Sequence, residues 1–122
     1  MQITHVNSIL MNKRIPLDAV IGTTVFVALR ILPIMEFKDG KRTDNITGFS
    51  YECVDEIEYR HFTIKIKGQT EPIISNEELQ QLREREKVIL EFRNPTVFSY
   101  YNRSTLGYED AFLADDVMLV TE

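Results

Sequence analysis

The stretch YRHFTIKIKG, Tyr59 to Gly68, constrains the fold more than any other part of the chain. Phe62, Ile64 and Ile66 alternate there with His61, Thr63, Lys65 and Lys67. A period of two puts the apolar set on one side of a β-strand and the polar set on the other, whereas a helix would spread both around its circumference. A strand with one apolar face needs partners, and the neighbouring sequence supplies them. Thr23 to Phe37 is rich in β-branched and aromatic residues and reads as a long strand, bent near Pro33. KDGK, Lys38 to Lys41, is a turn in which Gly40 can take positive φ. TGFSYECV then alternates, with Phe49, Tyr51 and Cys53 on one side.

One helix interrupts this pattern. SNEELQQLREREK opens on Ser75 with Glu78 three residues later, the spacing of a capping box, and its basic end (Arg83, Arg85, Lys87) suits the helix dipole. Leu79 and Leu82 are its strong apolar anchors, so it is a short helix on the surface of something larger. After it, KVILEF and TVFSYYN read as a β-hairpin turning at Asn94-Pro95, and AFLADDVMLV as a last strand. A small antiparallel sheet of this length must curl or close to hide its edges. The expectation is a mainly β single domain over residues 1–122, a small OB-like antiparallel barrel with one short helix between strands three and four. A helix-plugged β-sandwich or an SH3-like barrel would leave a similar trace.

At 122 residues the chain can bury a core without covalent staples, and its one cysteine, Cys53, excludes an intrachain disulfide or a cysteine-cluster zinc site. His5 and His61 are the only histidines and have no ligand-spaced partner, so no metal or other cofactor is expected. The adjacent acids Asp115 and Asp116 point apart on a strand and read as a turn or cap. No nucleophile elbow, P-loop or glycine-rich dinucleotide fingerprint occurs, and the chain is expected not to be an enzyme. TTVFVALRILPIMEF is broken by Arg30 and Pro33, and the amino-terminal residues lack the order of a signal peptide. A cytoplasmic protein without a membrane segment is expected.

The net charge of −5 argues against a polyanionic partner until its distribution is considered. The last fifteen residues hold five acids and no base, which leaves residues 1–107 with equal numbers of each sign. Lys41, Arg42, Lys65, Lys67, Arg93 and Arg103 are then free to gather on one face. Among them, Arg93 and Arg103 flank Phe98, Tyr100 and Tyr101. Two readings of these rings stand side by side. They are cross-strand packing pairs, or one alternate set is exposed beside an arginine and stacks on bases, each stack contributing roughly 1–3 kcal/mol. Lys65 and Lys67 can track a phosphate backbone or simply solvate a sheet, and Lys38, Lys41 and Arg42 sit on a turn where OB folds clasp oligonucleotides.

The segments GFSYECV, FTIKI, KVILEFRNPTVFSYYN and AFLADDVMLV resemble the small domain-of-unknown-function proteins of conjugative transposons and integrative and conjugative elements. The features carrying the resemblance are Tyr51 in one strand, Ile64 and Ile66 in the next, the run Val88-Leu90-Phe92 ending in Asn94-Pro95, and Ala114-Asp115-Asp116-Val117. Ala111-Phe112 stands where that family often has Trp-Tyr. The resemblance implies an OB-like barrel with a non-catalytic accessory role in replication or conjugative transfer of a mobile element, contacting single-stranded DNA, a relaxase–helicase assembly, or both. The alternative is a protein-interaction adaptor that binds no nucleic acid, its acidic carboxyl-terminal strand meeting a basic partner.

Overall fold

The computed structural model describes residues 13–120. His5 lies outside them. The chain is mainly β: β1 (Ile15–Pro16), β2 (Val25–Lys38), β3 (Lys41–Val54), β4 (His61–Lys67), β5 (Ile89–Arg93), β6 (Thr96–Asn102), β7 (Gly107–Leu113) and β8 (Asp116–Leu119). Two helices interrupt them, α1 (Leu17–Ile21) and α2 (Asn76–Arg83). No helix among the described residues is long and apolar enough to cross a membrane.

β2, β3 and β4 form a meander. Asp39 and Gly40 both take positive φ at the first turn, the geometry that lets two twisted strands reverse within two residues. Gly48 of β3 has no freedom to be anything larger, because a Cβ there would lie 2.4 Å from the Ile66 carbonyl of β4. The alternation in β4 is strict: Phe62, Ile64 and Ile66 are buried and His61, Thr63, Lys65 and Lys67 exposed. Phe112, Phe62, Phe26, Phe92 and Tyr51 run through the core in successive edge-to-face contacts, with ring centroids 5.1 to 5.8 Å apart. Such contacts add roughly 0.5–1.5 kcal/mol each beyond the area that the rings bury.

A helix forms inside the SNEELQQLREREK stretch, between β4 and β5 instead of the third and fourth strands, with the Ser75 hydroxyl accepting from the Glu78 N–H at 3.1 Å. Its position has a purpose in the sheet. β2 pairs with β5 over Val25–Val27 and Ala28 N–H still donates to the Val88 carbonyl at 2.8 Å, so its edge lacks a strand partner from Leu29 on. There the Asn76 side chain accepts from Ile31 N–H, and Gln80 and Arg83 donate to the Leu29 carbonyl. Side chains of α2 thus replace the missing strand. Pro33, which has no N–H to offer, follows on the same edge.

Three expectations need correction. The strand order, β1-β6-β7-β4-β3-β2-β5-β8, is a mixed open sheet and not a closed, wholly antiparallel barrel, because β4 and β7 run parallel and β1 does not pair with β8. The helix is not alone, since Pro16 and Gly22 bracket the five-residue α1, with Gly22 in the left-handed region. And Asn94-Pro95 is not a hairpin turn. β5 pairs with β2 and β8, while β6 pairs with β7 and β1. Asn94 at φ +49° and a proline without an N–H break the ladder and turn the strand from one neighbour set to the other. Ala114-Asp115 makes the matching break between β7 and β8, where Asp115 N–H donates to the Arg93 carbonyl at 3.0 Å. The true hairpin is β6–β7, closed by residues 103–106.

Candidate nucleic-acid interface

Alternation along β6 sends its side chains two ways. Val97 is paired with Phe112 and packs toward the core, whereas Phe98 is paired with Ala111 and Tyr100 with Glu109 on the outward side. The parallel register of Lys65 with Leu113 brings the polar side of β4 onto that same outward surface. One three-stranded face therefore presents Phe98 and Tyr100 on β6, Ala111 on β7 and His61, Thr63, Lys65 and Lys67 on β4. Phe98 and Tyr100 are half-buried against each other, their centroids 6.2 Å apart and their planes tilted by 49°. The guanidinium of Arg14 lies 6.0 Å from the Phe98 centroid, at the reach of a cation–π contact.

Two grooves follow one another along this face. The first, about 320 Å³, is lined by Arg14, Lys65, Lys67, Asn94, Thr96 and Asp115, over the floor of Leu113 and Ala114. The second, about 360 Å³, is lined by His61, Thr63, Lys65, Tyr100, Asp110 and Ala111, with Phe112 at its base. Lys65 belongs to both. The small side chain of Ala111, between Phe98 and the Thr63 row of β4, leaves the second groove its room. Neither Lys65 nor Lys67 forms an ion pair with a described residue, and neither does Arg14. Asp115 is engaged within the chain, accepting from Asn94 at 3.0 Å, and the Asp110 carboxylate accepts from Ser99 at 2.7 Å on the opposite side of the β6–β7 hairpin.

The structure thus brings Lys65, Lys67, Phe98 and Tyr100 together and leaves the other candidates apart. Tyr101 points to the opposite side, where it meets Tyr108 edge-to-face at 5.4 Å; the two rings are 45% and 50% exposed. Arg93 ends β5 opposite Asp116, Arg103 sits in the β6–β7 turn, and Lys41 and Arg42 begin β3. All four are exposed and none lines either groove. Arg14 was missed by sequence reasoning, since nothing in KRIP announces that it will reach Phe98. Thr63 and Ala111 were legible only as strand positions, and Tyr108 could have been found from its spacing across the true hairpin.

The remaining polar groups of interest serve the fold. Asp55 is fully buried, which alone would raise its pKa. The N–H groups of Glu58, Arg60 and Ile57 and the Arg60 guanidinium more than offset that and hold it at about 2. Burial and the nearby Asp55 push the Cys53 thiol up to about 12, so it stays protonated and unreactive. The Tyr51 hydroxyl donates to Gln69 at 2.8 Å and accepts from Ile73 N–H at 3.0 Å, tying the segment before α2 to the core. No cluster of three or more potential metal ligands occurs among the described residues. No protein-family model matches the chain, and neither a curated protein nor a solved structure is similar to it.

Proposed function

We propose that this is a non-catalytic, OB-like nucleic-acid-binding domain whose outward β4–β7–β6 face holds single-stranded DNA. The observation that carries the reading is the convergence of three cations with no ion-pair partner among the described residues, Arg14, Lys65 and Lys67, on one groove beside a half-buried aromatic pair. Cations that find no carboxylate are suited to phosphate, and aromatic faces are suited to bases of any sequence. The OB-like reading draws support from the meander β2–β3–β4, the helix that follows it, and the parallel β4–β7 pairing reached by a bent β5–β6 strand. The resemblance to proteins of conjugative transposons extends the reading to an accessory role in mobile-element replication or transfer, alongside a relaxase or helicase.

The test is a fluorescence-anisotropy titration with a labelled 15-mer of dT at several salt concentrations. A complex in the micromolar range at low salt, weakening steeply as salt rises, is expected. Absence of a complex at high micromolar protein and low salt would remove the reading. The adaptor reading would then lead. It is favoured by the hairpin tip, where Tyr101, Leu106 and Tyr108 are all exposed. An adaptor should co-purify from its host with a protein partner that nuclease treatment leaves bound.

A further inference from the structure

The two grooves differ in charge although they share a wall. The first gathers Arg14, Lys65 and Lys67 against the single carboxylate of Asp115. The second has only the shared Lys65, together with the Tyr100 ring, the Thr63 hydroxyl and the His61 imidazole, because the Asp110 carboxylate turns to Ser99 on the other side of β7. The first is therefore a site for an anion. The second adds no cation of its own to Lys65, has an aromatic wall, and carries hydrogen-bonding groups at its edge. Phosphate is held best where positive charge is in excess, and a base where a flat apolar surface is bordered by polar groups.

Resting on the single-strand reading above, we infer that Lys65 divides one nucleotide step. A backbone phosphate lies in the Arg14–Lys65–Lys67 groove and the adjoining base lies in the Tyr100–Thr63–His61 groove. The ligand class that follows is an unpaired strand with its bases exposed. A base held in a duplex is stacked and paired, so it cannot turn into the second groove. A bare polyphosphate fills only the first.

The assignment separates two kinds of variant. Removing Lys67 weakens every polyanion alike and lowers the salt dependence, because one counterion-releasing contact is lost. Replacing Tyr100 with leucine keeps an apolar strand residue but removes the ring, so it weakens only ligands that carry bases.

The test compares dT15 with a 15-mer of abasic tetrahydrofuran units, which keeps every phosphate and has no base. Both are titrated against the wild-type chain, Tyr100→Leu and Lys67→Ala, with circular dichroism showing that each variant is folded. The wild type is expected to bind dT15 at least about fivefold more tightly than the abasic strand, the least that one base–aromatic stack supplies. Tyr100→Leu should bring dT15 down toward the abasic value and leave abasic binding unchanged, whereas Lys67→Ala should weaken both by a similar factor. Equal affinity of the wild type for the two strands overturns the base groove while the polyanion reading survives. A preference for dT15 that Tyr100→Leu leaves intact also overturns it, since the base then lies elsewhere. Failure of the wild type to bind either strand removes both the inference and the reading under it.

Discussion

The Asp55–Arg60 turn ends one residue before the outward face of β4 begins, yet the two treat charge in opposite ways. In the turn, every ionic group is committed to the chain itself. Asp55 is 0% exposed and saturated by four donors, Arg60 bridges Asp55 and Glu58, and Glu56 meets Lys87 at 2.9 Å. Along β4 the lysines find no such partner among the described residues. A buried carboxylate with its full set of hydrogen bonds specifies a conformation. Exposed cations with none specify nothing about the fold, and so they are available to something else. The comparison separates residues that build the molecule from residues that the molecule presents.

That contrast can be broken by substitution. The largest effect is expected from Asp55→Ala, which takes the buried carboxylate away from three backbone N–H groups and a guanidinium that it holds together. It should cost about 3 kcal/mol or more, read as a fall in the urea midpoint. A cost under about 1 kcal/mol would show that the turn does not depend on its carboxylate. Gly48→Ala comes next, at roughly 1–3 kcal/mol, because the added methyl is forced against the Ile66 carbonyl and backbone must move. Acid sharpens the contrast from the other side. Asp55 is held at about 2, below the ordinary carboxylate value of 3.8, so the unfolded chain takes up the proton first. Its contribution is fully present above about pH 4 and fades as pH falls toward about 2. Melting temperature should drop over that window, and the drop should be shallower in Asp55→Asn.

The presented face should behave in the reverse manner. Lys65→Ala combined with Lys67→Ala should change stability by less than about 0.5 kcal/mol. It should also lower the slope of log affinity for dT15 against log salt by about two contacts' worth. Loss of stability without loss of slope would assign these lysines to the fold instead. Arg42→Ala should leave both measurements nearly unchanged, being the smallest effect of the series, because that side chain lies on the β2–β3 arm and outside both grooves.

Legibility in the sequence followed the range of the interaction. Phe62, Ile64 and Ile66 were readable as a buried row because alternation is a property of neighbouring residues, and so were the Asp39-Gly40 turn and the Ser75 cap. The partner of a strand is not such a property. Asn94-Pro95 between two strand-like runs looks like a local reversal, but β5 and β6 pair with distant elements and the proline only breaks their ladder. The same limit applies to the candidate face. That Phe98 and Tyr100 share a side was readable from their spacing, whereas the company of Lys65 depends on a parallel pairing across nearly fifty residues of chain. Arg14 reaches Phe98 only because β1 docks on β6.

The breaks at Asn94-Pro95 and Ala114-Asp115 govern where this protein could accept foreign sequence. Two unbroken lengths of chain cross from one flank of the sheet to the other there, so extra residues at either joint would let the flanks drift apart and open the core between them. The loop at 103–106 joins only strands that already hold each other, and a peptide tag grafted at that tip should be carried without harm.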